Sequence, residues 1–173
     1  MKTLQEFLSA YPVHEPNLSV KKNDGELQLL TEAEGVRLID SAPATWAEVS
    51  PPPKDQKEFD EHDSRYLWIF NDCGIPCVKE ISEFTLQLES KKAKHTNLSG
   101  GGNASVGGEA YFGSQEELYL TGSSGRYRFQ NNRQLDDAVE VFKELGFSTC
   151  CLGWDTDRDR PNHIYREGVA QWI

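Results

Sequence analysis

The chain has 173 residues, which fits one domain that can form its core without a disulfide or a metal. Its formal net charge of −10 repels both the phosphate backbone of nucleic acids and anionic membrane surfaces. No apolar stretch approaches the ~20 residues of a membrane span, and no apolar signal-peptide core follows Met1. We therefore expect a cytoplasmic protein that binds neither nucleic acid nor membrane.

The N-terminal region carries a helix signal and a hairpin signal. Thr3 and Glu6 have the spacing of a capping box, in which each side chain satisfies a backbone N–H at the start of a helix. Apolar residues then recur on one helical face until Pro12, which cannot continue a helix. Two short apolar segments flank Asn23-Asp24-Gly25, and this turn sequence predicts a β-hairpin.

The middle of the chain alternates between charged stretches and short apolar segments. Seven of the eleven residues from 54 to 64 are charged and only Phe59 is apolar, which predicts an exposed loop. The stretch 51–64 is also the best candidate for a boundary inside what we otherwise treat as a single domain, 1–173. Between 84 and 88 apolar and polar residues alternate, and this period of two predicts a half-buried strand.

The C-terminal half has the clearest strand and helix signals. Two segments with strand character, 109–112 and 117–121, predict a pair of strands joined by a turn. A capped apolar stripe over 132–145 predicts a helix, and 147–154 has the composition of a buried strand. The predicted fold class is therefore α+β, a mostly antiparallel sheet with one helix near the N-terminus and another near 132–145.

Cysteine and aspartate residues do not reproduce the spacing of a metal site. Cys73 and Cys77 lack a second pair at zinc spacing, and adjacent Cys150 and Cys151 would point to opposite faces of a strand. The alternating aspartates from Asp155 onward lack the glycine and the final carboxylate of a calcium loop. We expect no metal, no cofactor and no disulfide.

From 94 to about 147 the sequence follows an ordered series of short motifs. Lys94-His95-Thr96-Asn97-Leu98 leads to Gly101-Gly102, Gly107-Gly108-Glu109, a pair of strands, and Ser124-Gly125-Arg126-Tyr127 before a helix. This series resembles a module of plant IQ-motif calmodulin-binding-type proteins and of bacterial proteins, some of them toxin-associated. Arg126 stands where the module has histidine, and the proline that usually follows the tyrosine is absent. The resemblance implies a β-rich core with a polar cluster; it implies neither an activity nor calmodulin binding.

The matching segment brings five polar residues near strand ends and glycine-rich turns: His95, Glu109, Ser124, Arg126 and Tyr127. Such a cluster suits the binding of an anionic or polar ligand, and it suits equally an internal hydrogen-bond network that fixes the hairpin. The glycines likewise either present N–H groups to an anion or allow strands to pack closely. We assign no catalytic residue.

Three functions stay open on the sequence alone. The first is a binding module that acts on a partner protein, suited by its acidity to a basic partner, as an immunity, inhibitor or accessory factor. The second is a receptor for a phosphate-bearing or nucleotide-like small ligand at the glycine-rich turns, which predicts a pocket lined by Arg126. The third is an enzyme that uses His95, which predicts a hydrogen bond between its ring and a second polar group in an open cleft. The lack of a catalytic set favours the first.

Overall fold

The computed structural model describes residues 1–173 and contains three α-helices and nine strands. The helices are α1 (Leu4–Ala10), α2 (Gln56–Glu61) and α3 (Asn132–Glu144). The strands of the main sheet are β1 (Arg37–Leu38), β2 (Tyr66–Phe70), β3 (Pro76–Lys79), β4 (Val106–Phe112), β5 (Glu117–Thr121), β6 (Ser148–Cys151) and β9 (Gln171–Trp172). The remaining two, β7 (Trp154–Asp155) and β8 (Arg160–Pro161), pair with each other. None of the helices has the length and apolar character needed to cross a membrane.

The main sheet has the order β1-β3-β2-β4-β5-β6-β9, and its neighbouring strands are antiparallel except for β5 and β6. Parallel neighbours need a crossover connection, and α3 provides it between β5 and β6. The two edge strands, β1 and β9, are only two residues long. The predicted α+β class is confirmed, together with the mostly antiparallel sheet and the helices near the N-terminus and near 132–145.

Side-chain caps fix where α1 and α3 begin. The Thr3 hydroxyl accepts a hydrogen bond from the Glu6 N–H at 3.2 Å, and the Glu6 carboxylate accepts one from the Thr3 N–H at 2.7 Å. At α3 the Asn131 side chain accepts from the Gln134 N–H at 3.0 Å, whereas the Gln134 side chain accepts from the N–H of Gln130. These bonds satisfy backbone N–H groups that the start of a helix leaves free.

The two faces of the sheet bury different kinds of side chain. Even-numbered residues of β2 and β4, such as Trp68 and Phe112, join a core of 21 buried residues together with α1 and α3. The alternate residues, such as Leu67 and Ile69, belong to a smaller apolar cluster of nine residues on the opposite face. Glu109 lies on this second face as well, because it alternates with Ala110 of the large core. The second face is therefore partly polar, and it carries the candidate site.

The hairpin expected around 23–25 is wrong, because a distant side chain holds this segment in another shape. The chain forms a 3-10 turn, Asp24–Leu27, without flanking strands. The side-chain amide of Asn97 donates hydrogen bonds to the carbonyls of Gly25 and Gln28 at 2.9 and 2.8 Å. This contact spans about half the chain, so the local turn sequence could not indicate it.

The strand expected at 84–88 is also wrong. The segment is a 3-10 turn, Thr85–Gln87, and Leu86 is 53% exposed. The Thr85 hydroxyl accepts a hydrogen bond from the Ser82 N–H at 2.7 Å. Bonds of this kind between a side chain and nearby backbone compete with strand pairing, and here they prevail over an alternating pattern of only five residues.

The charged stretch 54–64, expected to be a loop, contains the short helix α2. Asp55 caps it, accepting a hydrogen bond from the Glu58 N–H at 2.8 Å. Phe59 anchors it, with its ring centroid 4.7 Å from the His163 ring and 4.1 Å from the Arg65 guanidinium carbon. One apolar side chain and one cap are thus enough to order this stretch.

Candidate functional site

A cavity of about 160 Å³ lies on the second face of the sheet, beside the centre of β4 and the turn that follows β5. We call it the polar cavity. Its polar wall is formed by Glu80, Lys94, His95, Glu109, Ser124 and Arg126, with Ser123 and Gly125 at one side. The fold thus brings together four of the five residues that the sequence places in the polar cluster.

Tyr127, the fifth residue of that cluster, lies outside the polar cavity. Its ring belongs to the smaller apolar cluster. Its hydroxyl donates to the Gly102 carbonyl at 2.6 Å and lies 2.7 Å from the Ser99 hydroxyl. Tyr127 therefore joins the glycine segment at 99–102 to the turn after β5, which is a structural role.

Sequence reasoning missed one residue of the cavity wall, Glu80. Lys94 belongs to the same motif as His95 and directly precedes it in the chain. Glu80 carries no local signal, because it reaches the cavity only through the pairing of β3 with β2. Strand order decides this contact, and strand order was not predicted.

Two glycines of β4 allow the histidine to lie directly against the strand. A Cβ atom at Gly107 would lie 3.0 Å from His95 Cδ2, and one at Gly108 would lie 2.0 Å from the Thr121 carbonyl oxygen. The Trp68 ring on the other face would also be only 2.7 Å from a Cβ at Gly108. At these two positions the glycines serve close packing of strand and side chains rather than a turn.

His95 is held as a neutral structural group. Its Nε2 lies 2.9 Å from the Gly108 carbonyl, so Nε2 carries the proton and donates it there. Burial lowers the pKa of His95 to about 4, which keeps the ring uncharged near neutral pH. The hydrogen bond of this ring goes to backbone and not to a second catalytic side chain.

The guanidinium group of Arg126 is ion-paired at one nitrogen and has no hydrogen-bond partner at another. Its Nη2 forms a buried ion pair with Glu26, a residue of the 3-10 turn Asp24–Leu27 that is only 1% exposed. The same Nη2 lies 3.4 Å from the Val20 carbonyl. The buried Nε of Arg126 has no hydrogen-bond partner within the protein.

Glu109 stands in the centre of the sheet with one oxygen unpartnered. Its Oε1 lies 3.9 Å from Arg65 Nε, and its Oε2 has no hydrogen-bond partner. Arg65 instead donates to Glu80, at 2.8 Å from Nε and 2.6 Å from Nη2. Burial therefore outweighs the attraction of Arg65 and raises the pKa of Glu109 to about 8.

The cavity wall carries an excess of unused donors. The Lys94 side chain forms no ion pair, and burial lowers the pKa of its ammonium group. The Ser124 hydroxyl accepts from the N–H groups of Arg126 and Tyr127 at 3.3 and 3.1 Å, which leaves its own proton free to donate. Around neutral pH the Glu109 carboxyl is largely protonated and is a further donor.

No protein-family model matches this chain, and neither does a curated protein or a solved structure. The resemblance of 94–147 to the plant and bacterial module therefore stays a prediction. All four cysteines are free, and no three His, Cys, Asp or Glu side chains come together as a group that could hold a metal ion. The geometry of the polar cavity is thus the basis for a functional proposal.

Proposed function

We propose that this protein is a receptor for a small phosphate-bearing ligand, whose phosphate group binds in the polar cavity. The observation that carries this proposal is that one small cavity is lined both by Lys94, a half-buried residue whose side chain forms no ion pair, and by Arg126, whose buried Nε has no hydrogen-bond partner. This is the second of the three functions that the sequence leaves open. It required a pocket lined by Arg126.

The physical argument rests on the cost of unsatisfied buried groups. Buried polar atoms in folded proteins almost always have a partner, and burying a charge without one is expensive. The free donors of Lys94, Arg126 and Ser124 are all of the kind that phosphate oxygens accept. Hydrogen bonds between ionised partners are about twice as strong as neutral ones, so a phosphate group would satisfy this wall better than water.

The size of the cavity limits what can enter it. A volume of about 160 Å³ is several times the ~30 Å³ that a water molecule occupies in the liquid, so a phosphate group fits inside it. The remainder of a larger ligand would have to extend out of the cavity through its open side, past Ser123 and Gly125.

The other two functions rest on weaker support. An enzyme would need His95 to contact a second polar side chain, and its Nε2 bonds to the Gly108 carbonyl instead. A module that acts on a partner protein stays a prediction, since the acidity that suggested it does not select a surface. The same binding experiment separates that prediction from the present proposal.

Titration with inorganic phosphate tests the proposal. A ligand that binds only the folded state raises the free energy of unfolding as its concentration rises above Kd. We expect phosphate to raise the melting temperature of the wild type in a saturable way at constant ionic strength. Lys94→Met should weaken phosphate binding about tenfold to a hundredfold, because a hydrogen bond to a charged group contributes about 1.5–3 kcal/mol.

Lys91→Met is the matched control. It removes the same charge from the same basic segment, but Lys91 is exposed and does not line the polar cavity. Equal losses of affinity in Lys91→Met and Lys94→Met would mean that phosphate responds only to the net charge of the protein. That result would contradict the proposal. An unfolding curve of the wild type that does not respond to phosphate would also contradict it.

A further inference from the structure

A second polar surface adjoins the cavity. Two depressions of about 410 and 650 Å³ meet at Arg158 and Arg160, on the small sheet formed by β7 and β8. Five cationic side chains line them: Lys54, Arg128, Arg158, Arg160 and Arg166. We call this surface, together with His163, the basic groove.

Two carboxylates, Asp55 and Asp159, line the basic groove and a third, Asp155, lies beside it; all three are already engaged. Asp155 pairs with Arg158 at 3.5 Å, and Asp159 accepts a hydrogen bond from Trp154 Nε1 at 3.2 Å. Asp55 accepts from the Glu58 N–H as the cap of α2. The other four cations, Lys54, Arg128, Arg160 and Arg166, have no carboxylate oxygen within 4 Å and therefore stay available to a ligand.

A concentration of cations is unexpected in this chain. The chain has 28 acidic and 18 basic side chains, whereas the basic groove is lined by five cations and only two carboxylates, Asp55 and Asp159. Like charges held together repel each other unless an anion lies between them. The pKa of His163 responds to this field: burial lowers it first, and Arg160 and Arg166 lower it further.

The basic groove and the polar cavity share a wall. Ser123, Ser124 and Gly125, in the turn after β5, line the polar cavity on one side and the depression with Arg128 and Arg160 on the other. Gly125 is exposed, so the wall is low at this point. A ligand with one group in the cavity can thus extend across this wall toward Arg128 and Arg160.

We infer that the polar cavity and the basic groove form one extended site for a ligand with several linked phosphate groups, such as inorganic triphosphate or the phosphate chain of a nucleotide. This inference rests on the proposed function and extends it. One phosphate group occupies the cavity, and the others follow the groove toward Arg160 and Arg166. Guanidinium groups match phosphate oxygens with paired N–H bonds, which makes arginine the expected residue along such a chain.

A compact polyanion fits this surface better than a nucleic acid does. Nucleic acid backbones engage a long positive face, and binding energy grows with the number of phosphates neutralised. Here the positive surface is confined to one groove on a chain whose net charge is −10. A short phosphate chain places all of its charge inside the groove and keeps it away from the acidic surroundings.

The test compares inorganic phosphate, pyrophosphate and triphosphate by calorimetry at one ionic strength. We expect triphosphate to bind the wild type at least about tenfold more tightly than phosphate. The double variant Arg160→Gln/Arg166→Gln should lose that gain while its phosphate affinity stays within about twofold of the wild type. Arg133→Gln, an exposed arginine in the first turn of α3, is the control for charge and should behave as the wild type.

Each result distinguishes the extension from the proposed function. Phosphate binding that depends on Lys94 but does not strengthen with chain length overturns the extended site and leaves the proposed function standing. Triphosphate binding that depends on Arg160 and Arg166 but not on Lys94 contradicts both the role of the cavity and the extended site. A single-stranded oligonucleotide that binds more tightly than triphosphate at the same arginines overturns the small-ligand class. Both arginines are exposed, so the double variant is expected to fold.

Discussion

At the scale of single residues, Arg126 has a part in the fold and, in the proposed function, a part in ligand binding. Its Nη2 compensates the buried carboxylate of Glu26, and its Nε faces no partner. Loss of stability in an Arg126 variant would therefore say nothing against ligand binding. Lys94, which forms no ion pair, is the better probe of the cavity.

The ion pair between Arg126 and Glu26 gives a stability prediction. We expect Arg126→Ala to lower the free energy of unfolding by about 3–5 kcal/mol, because removing one partner leaves the other charge buried and uncompensated. The double variant Arg126→Met/Glu26→Gln should recover much of that loss. Urea denaturation checks both variants, and a single variant that loses less than about 1 kcal/mol would mean that the pair is not buried in solution.

Glu109 gives a prediction about pH. Its pKa is raised from 4.5 to about 8, so between these values the folded state binds more protons than the unfolded state. The contribution of Glu109 to stability is complete below about pH 4.5 and is lost as the pH rises through about 8. Glu109→Gln cannot ionise, and we expect it to be more stable than the wild type above about pH 8, with little difference below about pH 5.

Urea denaturation across this pH range measures the effect. Glu117→Gln is the matched control, since Glu117 is exposed on β5 and does not line the cavity. Curves of stability against pH that run parallel for the wild type and Glu109→Gln would show that Glu109 is ionised in the folded protein. In that case the cavity would have one donor fewer than the proposed phosphate site assumes.

At the scale of elements, α3 connects the sequence pattern most directly to the core. Its apolar stripe includes Leu135, Val139 and Phe142, and all three are fully buried in the large core. The Phe142 ring lies 5.1 Å from the Trp68 ring and 5.5 Å from the Phe70 ring. The helix therefore packs on the first face of the sheet through contacts that its periodicity predicted.

Phe142→Ala is expected to lower the free energy of unfolding by about 3–5 kcal/mol, because it leaves a cavity among aromatic rings. Glu144→Ala, an exposed position in the same helix, should change it by less than about 0.5 kcal/mol. Denaturant unfolding of both variants checks the assignment. A loss below about 1 kcal/mol for Phe142→Ala would mean that the ring is not part of the core.

Most elements with a local signal could be predicted, with 84–88 as an exception, and elements held from a distance could not. The cap at Thr3, the pairing of 109–112 with 117–121 and the stripe of α3 all depend on residues near in sequence, and these predictions are confirmed. The turn at Asp24–Leu27 depends on Asn97, far along the chain, and its prediction failed. A hydrogen bond from a residue distant in sequence leaves no pattern in the residues near the turn, so it cannot be predicted from them.

The candidate site follows the same rule. His95, Glu109, Ser124 and Arg126 share one segment of the chain, and the fold brings them to one cavity. Glu26 and Glu80 complete the surroundings of Arg126 and Arg65 from other parts of the chain. The motif series could indicate the four residues of the shared segment. Glu80 could be found only from the order of the strands, and Glu26 only from the position of the turn Asp24–Leu27.

At the scale of the whole molecule, the sheet separates the large core from the proposed binding site. One face carries the larger core with α1 and α3, and the other carries the smaller cluster with the polar cavity beside it. Buried polar atoms without a partner, such as Glu109 Oε2 and Arg126 Nε, are destabilising, and a large apolar core on the opposite face can offset their cost. The division lets the second face keep unsatisfied donors without unfolding the chain.

The edge strands of this sheet also affect the tendency of the protein to associate with other copies of itself. An edge strand exposes N–H and C=O groups that a neighbouring chain can pair with, and long flat edges favour aggregation. Here both edges, β1 and β9, offer only two residues each, so an incoming strand would gain few hydrogen bonds. The negative charge of the chain adds repulsion between copies at close range. A seven-stranded sheet is thus kept from growing by the shortness of its outermost strands.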